Sequence, residues 1–315
     1  MSRYRYIVLL LAMTASGCSL KTYAINMVGN ALSSGDSVYE TDDDIDLVGA
    51  ALPFGLKLTE SLLVQSPNHP GLLLTACRGF TLYAYAYVSH AAEVAAETDL
   101  DLAQQGRNRA RRLYLRAFGY CTRGLDRSYP GFGTLLLTDA PAAAARVERK
   151  NAERDLPWLY WTAAALGLAV SASPGDAAML ARLPDVHALL DRALELNESW
   201  DEGALHEFTV VLAGAAPGGP DEALIRKHYE RAVELSRGTS ASAHIALAEA
   251  VSVPQQNGAE FRALLERALA VDPDSTPSNR LVNLLAHRRA RWLASRAGEL
   301  ILDAAPVDSE KEIER

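Results

Sequence analysis

The 315-residue sequence lacks several features that mark common functional classes. Its formal net charge is −8, so it has no excess of positive charge with which to neutralise nucleic-acid phosphates. No segment shows the sustained alternation of β-branched residues that is typical of strands. Since 49% of the residues are hydrophobic and alanine and leucine dominate, we predict a folded, all-α protein that does not bind nucleic acid.

Motifs that carry enzymatic or metal chemistry are also missing from the sequence. There is no phosphate-binding glycine loop, no Gly-x-Ser-x-Gly nucleophile turn and no His-Glu-x-x-His zinc motif. The histidines are scattered along the chain, and the acidic run at 42–44 lacks the glycine and terminal glutamate of a calcium loop. The sequence therefore predicts a non-catalytic protein without a bound cofactor or metal.

A central apolar stretch, residues 155–170, is too short for a membrane span, which needs about 20 apolar residues. After Asp155 its only polar residue is Thr162, so the pattern predicts a helix that is buried on all sides. Asp155 is a suitable N-cap, and Pro157 is tolerated in the first turn. We expect this helix to lie at the centre of the fold.

The N-terminus has the basic start, short apolar core and small residues that are typical of a secretory signal peptide. Two arginines precede the apolar stretch 7–13, and Ala15-Ser-Gly-Cys18 resembles a bacterial lipobox. We predict a signal peptide at 1–17, lipidation of Cys18, and an anchor and linker with a short helix at 18–44. Ser19 after the cysteine favours the periplasmic side of the outer membrane. The alternative is an ordinary signal followed by an incidental cysteine.

Cys77 and Cys121 are the other two cysteines of the chain. Both lie in apolar stretches with helical character, and cysteine is among the most frequently buried residue types. We therefore expect two buried thiols. An oxidising periplasm would permit a disulfide between them, which is the alternative.

The second half of the chain is repetitive. Three related segments, Arg192–Asn197, Arg231–Ser236 and Arg267–Pro273, have alanines 39 and 36 residues apart. Periods of this size indicate degenerate tetratricopeptide units, whose strict period is about 34 residues, and stacked units share one core. The predicted architecture is a helical-hairpin solenoid around the buried central helix. It forms a single domain at 45–303, followed by a charged tail at 304–315.

Five aromatic residues are candidates for lining an internal ligand cavity, because ligand sites are mostly apolar with a few polar groups. They are Trp158, Tyr160 and Trp161 near the start of the central helix, and Tyr83 and Tyr87, which are four residues apart on one helix face. Plain helix packing is the alternative role for these rings.

Arg109, Arg112 and Arg116 recur at helical spacing and form a basic stripe. The stripe is a candidate docking face for an acidic partner or substrate. The alternative is ion pairing with acidic neighbours inside the fold, and the same alternative applies to the arginine run at 288–296.

Together these features resemble the TatT family, the T components of tetratricopeptide-associated tripartite ATP-independent periplasmic (TRAP) transporters. The resemblance rests on Gly17-Cys18, the arginine-rich segment 109–117, the helix at 159–167 and the degenerate repeats. It implies a periplasmic lipoprotein that forms a homo-oligomer, a trimer, and that binds the transporter's solute-binding protein. It also implies passage of a hydrophobic or organic-acid ligand through an internal cavity. The family defines no catalytic residues.

We therefore expect an accessory component of TRAP-type solute uptake, attached to the membrane through its lipid anchor. The alternative is a general tetratricopeptide-like scaffold for envelope assembly that has no ligand role. The two functions differ in the partner that they require, because only the first requires a solute-binding protein.

Overall fold

The computed structural model describes residues 26–27, 29–30, 38–216 and 218–302. Within these residues the regular secondary structure is helical and no strand occurs, which confirms the all-α prediction. The predicted signal peptide at 1–17, the lipidation site Cys18 and the tail at 304–315 lie outside the described residues, as does much of the linker.

The first part of the chain folds into helices that pack on one another. They are α1 (Ile45–Gln65), α2 (Pro70–Tyr83), α3 (His90–Ala95), α4 (Leu100–Ser128), α5 (Phe132–Thr138) and α6 (Ala140–Ala145). A π-helical turn, Ala84–Ser89, joins α2 to α3. The carboxylates of Asp44 and Asp99 cap α1 and α4 by accepting backbone N–H groups of the first turn. Helix α2 packs between α1 and α4.

Helix α1 is long and apolar enough to cross a membrane when only its length and composition are considered. Only 22% of its most apolar stretch is buried, and the buried side chains, which include Val48, Leu56 and Leu63, form one face of the helix. The helices of protein cores often meet the same criteria, so this property alone does not define a span.

The second part begins with the central helix. Its helices are α7 (Ala152–Ser171), α8 (Ala177–Leu180), α9 (Leu183–Asn197), α10 (Ala204–Gly214), α11 (Glu222–Leu235), α12 (Ala241–Leu247), α13 (Gly258–Ala270), α14 (Arg280–Ser295) and α15 (Ala297–Leu300). A second π-helical turn, Ala248–Ser252, continues α12. The repeat alanines Ala193, Ala232 and Ala268 are buried in α9, α11 and α13. The assignment of these helix pairs to tetratricopeptide units stays a prediction.

Helix α7 is buried between α4 and α9 and also touches α2, in agreement with the central position expected for it. Its predicted start was wrong, because the helix begins at Ala152, one turn before Asp155. Asp155 is not the N-cap. Its buried carboxylate accepts a hydrogen bond from the Tyr129 hydroxyl at 2.6 Å and pairs with Arg154 at 2.7 Å.

Cys77 and Cys121 form a disulfide, so the expectation of two free thiols was wrong. Both residues are fully buried where α2 packs against α4, and their Cα atoms are 5.0 Å apart. Burial was expected from the apolar stretches, but the sequence does not show that the two cysteines face each other across one helix–helix contact.

Helix α14 closes the chain into a ring by contacting its N-terminal part. The backbone N–H of Leu281 donates to the carbonyl oxygen of Glu40 at 3.0 Å. The indole N–H of Trp292 donates to the Glu97 carboxylate at 2.8 Å. Helix α14 therefore lies beside the N-terminal part of the chain, and it also contacts α1.

Candidate functional site

Charged and phenolic side chains from distant parts of the sequence lie close enough to shift one another's pKa, and we call the space between them the central cavity. The charged and phenolic residues that line it are Arg78, Tyr85, Tyr160, Asp201, Glu207, Glu249 and Arg289. They come from α2, α7, α10, α14, both π-helical turns and the turn before α10.

Exposure and burial together identify these residues as cavity-lining. Tyr85 is 54% exposed to water, yet burial raises the pKa of its phenol to about 12. The side chain of Glu249 is 35% exposed, and burial also raises its pKa. The side chain of Arg78 is 41% exposed, and burial lowers its pKa. Water reaches such groups, but protein surrounds them, which is the environment of an internal cavity.

One end of the central cavity is formed around Arg78. Its guanidinium pairs with Glu40 and stacks over the Trp161 ring at 5.8 Å from the ring centroid. Burial lowers the pKa of Arg78, and the carboxylate of Asp201 opposes this effect. Burial raises the pKa of Asp201, and the positive charge of Arg78 acts against this rise. The two groups therefore attract each other electrostatically without forming a direct ion pair.

A strained turn places Asp201 in this position. Asp201, Glu202 and Gly203 have successive positive φ values of 49°, 52° and 98°. Non-glycine residues rarely adopt this conformation, and such strain is concentrated at functional sites. A Cβ atom at Gly203 would lie 3.1 Å from the Ala232 backbone, so the turn needs glycine there. The turn also carries Trp200 into the cavity wall.

Aromatic rings form the middle of the wall around Tyr160. The Tyr160 ring centroid lies 4.9 Å from that of Trp161, 5.0 Å from that of Trp200 and 6.1 Å from that of Phe208. Burial is the main cause that raises the pKa of Tyr160, and the nearby carboxylates of Glu207 and Asp201 add to it. This wall is apolar on its faces and polar at the Tyr160 hydroxyl.

Glu207 lies beside this aromatic wall. Its carboxylate accepts a hydrogen bond from the Ser240 hydroxyl at 3.0 Å and another from Ser242. Burial raises the pKa of Glu207, the two serine hydrogen bonds lower it, and Asp201 raises it further. The carboxylate is thus held in place by neutral groups.

The other end of the cavity is formed around Arg289. Its guanidinium pairs with Glu93 on α3 and with Glu249, at 2.5 Å, in the second π-helical turn. Burial alone would lower the pKa of Arg289, but the two carboxylates raise it above its ordinary value. The charges of Glu249, Arg289 and Glu93 also affect the pKa of Tyr85. Both π-helical turns therefore present one polar side chain to this end, and π-helical turns often occur at functional sites.

The structure divides the predicted cavity aromatics into three places. Tyr160 and Trp161 lie in the wall of the central cavity. Trp158 is only 7% exposed and packs against Gly124 of α4. Tyr83 and Tyr87 stack on each other at 5.8 Å in a separate groove. The intervening tyrosine, Tyr85, is the one that faces the central cavity, because it lies on another face of the helix.

The groove that holds Tyr83 and Tyr87 lies between α3 and α4, and we call it the α3–α4 groove. It has a volume of about 580 Å³, an apolar floor that includes Ala91 and Ala95, and a rim that includes Arg109 and Arg112. The guanidinium of Arg109 stacks over the Tyr83 ring and donates to its hydroxyl at 3.2 Å. Within the described part of the chain, Arg112 has no ion pair or hydrogen bond.

The third arginine of the predicted stripe has a different environment. Arg116 lies 3.6 Å from the carboxylate of Glu60 on α1 and stacks over Phe80 at 5.3 Å. Of the predicted docking residues, Arg109 and Arg112 therefore share the groove, while Arg116 contacts the neighbouring helices. Among the described residues, no group of three or more histidine, cysteine, aspartate and glutamate side chains is arranged to hold a metal ion.

The fold and its site define a class: an all-helical protein whose helices enclose a polar cavity with an aromatic wall. The sequence model of the family described as the TRAP transporter T-component matches residues 41–301. The chain therefore belongs to the TatT family, as its sequence suggested. Membership gives it an accessory role in TRAP transport and associates it with the other transporter components and with the cell envelope.

A relative in Treponema pallidum (strain Nichols) is 33% identical over 308 residues. The alignment covers 91% of this chain and 94% of that protein, which is described as uncharacterized. The similarity therefore extends over nearly the full length of both chains, but this relative adds no functional assignment.

Proposed function

We propose that this protein is a lipid-anchored periplasmic component of a TRAP-type uptake system, which docks the solute-binding protein and carries a small organic ligand in its central cavity. The observation that carries the proposal is the family match over residues 41–301. The proposal includes lipidation at Cys18, location at the outer membrane and assembly into a trimer. Mass spectrometry of the mature protein tests the anchor, because retention of residues 1–17 would exclude it.

The proposed architecture is a solenoid of tetratricopeptide-like helix pairs. Its support is the order of the second half, where α9 and α10, α11 and α12, and α13 and α14 follow one another, with a buried repeat alanine in the first helix of each pair. A preformed solenoid is suited to docking, since its surfaces need little ordering when a partner binds.

The central cavity supports the ligand-carrying part of the proposal. It combines aromatic faces at Tyr160 and Trp161 with desolvated polar groups such as Glu207, and ligand sites have this composition.

The α3–α4 groove supports the docking part of the proposal. Arg112 has no anionic partner among the described residues, and the apolar floor beneath it is open. A free guanidinium at the edge of an apolar groove is a suitable contact for a carboxylate on an acidic partner, because arginine binds carboxylates through two parallel hydrogen bonds.

The docking proposal is tested by charge reversal at Arg112. We expect Arg112→Glu to weaken binding to the solute-binding protein of the same transporter by at least tenfold, measured by surface plasmon resonance with purified proteins. The matched control is Arg127→Glu, because Arg127 is an exposed residue of the same helix that lies outside the groove.

The two variants carry the same change of charge, so a general electrostatic effect would weaken both equally. Equal binding by Arg112→Glu and the wild type would reject this groove as the docking site. Failure of the wild-type protein to bind the solute-binding protein at all, together with recovery of envelope-assembly proteins by co-purification, would instead favour the scaffold function.

A further inference from the structure

The positive charges of the central cavity are already balanced by protein carboxylates. Arg78 pairs with Glu40 and is also attracted by the more distant carboxylate of Asp201, and Arg289 pairs with two glutamates on different helices. Each guanidinium is therefore matched by two negative charges. An anionic ligand entering the cavity would have to displace one of these carboxylates in a desolvated environment, where unpaired charge is costly.

Glu207 has no such balance. Its hydrogen-bond partners are the hydroxyls of Ser240 and Ser242, which carry no charge. The charged neighbour that affects it most is Asp201, which has the same sign. Within the described residues no arginine, lysine or histidine forms an ion pair with Glu207. The half-buried Glu207 carboxylate therefore has hydrogen-bond donors but no counter-charge among the described residues.

The phenol hydroxyls of the cavity provide a second, independent observation. Neither the Tyr160 hydroxyl nor the Tyr85 hydroxyl has a hydrogen-bond partner in the described part of the chain, and neither is fully buried. Because both hydroxyls are accessible and unpartnered, each can form a hydrogen bond with a molecule bound in the cavity. The Tyr160, Trp161 and Trp200 rings lie around the first of them.

We propose that the central cavity binds an organic cation, namely a protonated amine on an apolar body, with its ammonium group between the Glu207 carboxylate and the ring of Tyr160. This inference rests on the proposed ligand-carrying function and narrows its chemistry away from an organic acid. The ammonium group would form a charge-assisted hydrogen bond with Glu207 and a cation–π contact with the aromatic wall. The apolar body would pack on the Trp161 and Trp200 rings.

Three probes with one body and different charge test the proposal by isothermal titration calorimetry at pH 7.5: 3-phenylpropylamine, 3-phenylpropanol and 3-phenylpropionate. We expect the amine to bind the full-length wild-type protein at least tenfold more tightly than the carboxylate. Glu207→Gln keeps the size and the serine contacts but removes the charge, and it should weaken amine binding at least tenfold. The neutral alcohol should bind the wild type and this variant about equally.

Glu266→Gln is the control, because Glu266 is an exposed carboxylate on α13 and its substitution changes the net charge by the same amount. It should bind the amine as the wild type does. Far-ultraviolet circular dichroism confirms that the variants fold. If Glu207→Gln does not fold, Tyr160→Phe provides the second test. This substitution keeps the ring and removes the hydroxyl. It should weaken binding of the amine, but the variant should still bind the amine more tightly than the carboxylate.

Preferred binding of the carboxylate would overturn the cation inference and leave the ligand-carrying function standing. No binding of any probe would overturn the inference as well, while the separate experiment with the solute-binding protein would still decide the docking function. Equal weakening of amine binding in Glu207→Gln and Glu266→Gln would also reject the site, since it would show only a dependence on net charge.

Discussion

Gly124 and Trp158 allow a direct test of whether Trp158 belongs to the core or to a ligand site. Gly124 lies in α4, where the Trp158 ring of α7 packs against its backbone. A Cβ atom added at Gly124 would lie 2.0 Å from Trp158 Cζ3, a distance that no ordinary contact permits. We therefore expect Gly124→Ala to force the buried ring, or one of the two helices, out of position.

Gly119 provides the matched control, because it lies in the same helix and a Cβ atom added there meets nothing within 4 Å. Replacing glycine by alanine inside a helix stabilises it by about 1 kcal/mol. Overpacking of a well-packed core costs about 1–3 kcal/mol. Gly119→Ala should therefore stabilise the protein by about 1 kcal/mol. Gly124→Ala should have the same stabilising effect on the helix but should also incur the packing cost, giving a net destabilisation of about 0–2 kcal/mol.

The difference between the two variants isolates the steric cost, since the helix-propensity gain is common to both. Urea unfolding followed by circular dichroism should show a difference of about 1–3 kcal/mol in the free energy of unfolding. Combining Gly124→Ala with Trp158→Leu should remove most of the added cost, because the smaller side chain leaves room for the methyl group. Equal stability of the two alanine variants would refute the close packing of Trp158 on α4.

Two further predictions concern the disulfide and the pH dependence of stability. Serine substitution of both Cys77 and Cys121 should lower the free energy of unfolding by about 4 kcal/mol, because the disulfide closes a loop of 44 residues in the unfolded chain. A reductant should lower the free energy of unfolding of the wild type but not that of the serine variant. Burial lowers the pKa of His90 to about 4, so the native state favours neutral His90. The unfolded chain takes up the proton first, so the free energy of unfolding is highest above pH 6.5 and decreases as the pH falls from 6.5 towards 4. His90→Gln should reduce this loss in urea titrations at pH 7 and pH 5, and equal losses in both proteins would contradict the prediction.

The central helix illustrates what can be predicted from sequence alone. Its burial followed from an apolar stretch with a single polar residue, Thr162, which lies in the core with its hydroxyl bonded to the Trp158 carbonyl. The first residue of the helix could not be predicted, because Asp155 fits the sequence pattern of an N-cap as well as that of a residue inside the first turn. The choice was made by a tertiary contact, since the Tyr129 hydroxyl and Arg154 hold the carboxylate inside the helix. Here the tertiary hydrogen bond from Tyr129 to the buried Asp155 carboxylate outweighs a local capping preference.

The cavity was only partly predictable for a different reason. Tyr160 and Trp161 were identified because large rings near small residues on an apolar helix indicate a packed or ligand-lined space. Asp201, Glu207 and Glu249 were missed, because each is a single carboxylate in an ordinary amphipathic segment. Only the closure of the ring brings these segments together. Two local signals existed, the strain at Asp201 and the π-helical turn around Glu249, but both are visible only in the backbone geometry.

Closure of the ring also explains why the arginine run in α14 lies where it does. Arg289 joins Glu93 from the first part of the chain to Glu249 from the second, so one side chain links the two parts at the cavity wall. Arg296 lies 3.5 Å from Glu97 beside the same contact. Because these pairs hold the ring closed, replacing Arg289 would change the shape of the cavity and the stability of the protein together. Glu207 faces the same cavity but takes no part in closing the ring, so its substitution can report on ligand charge alone.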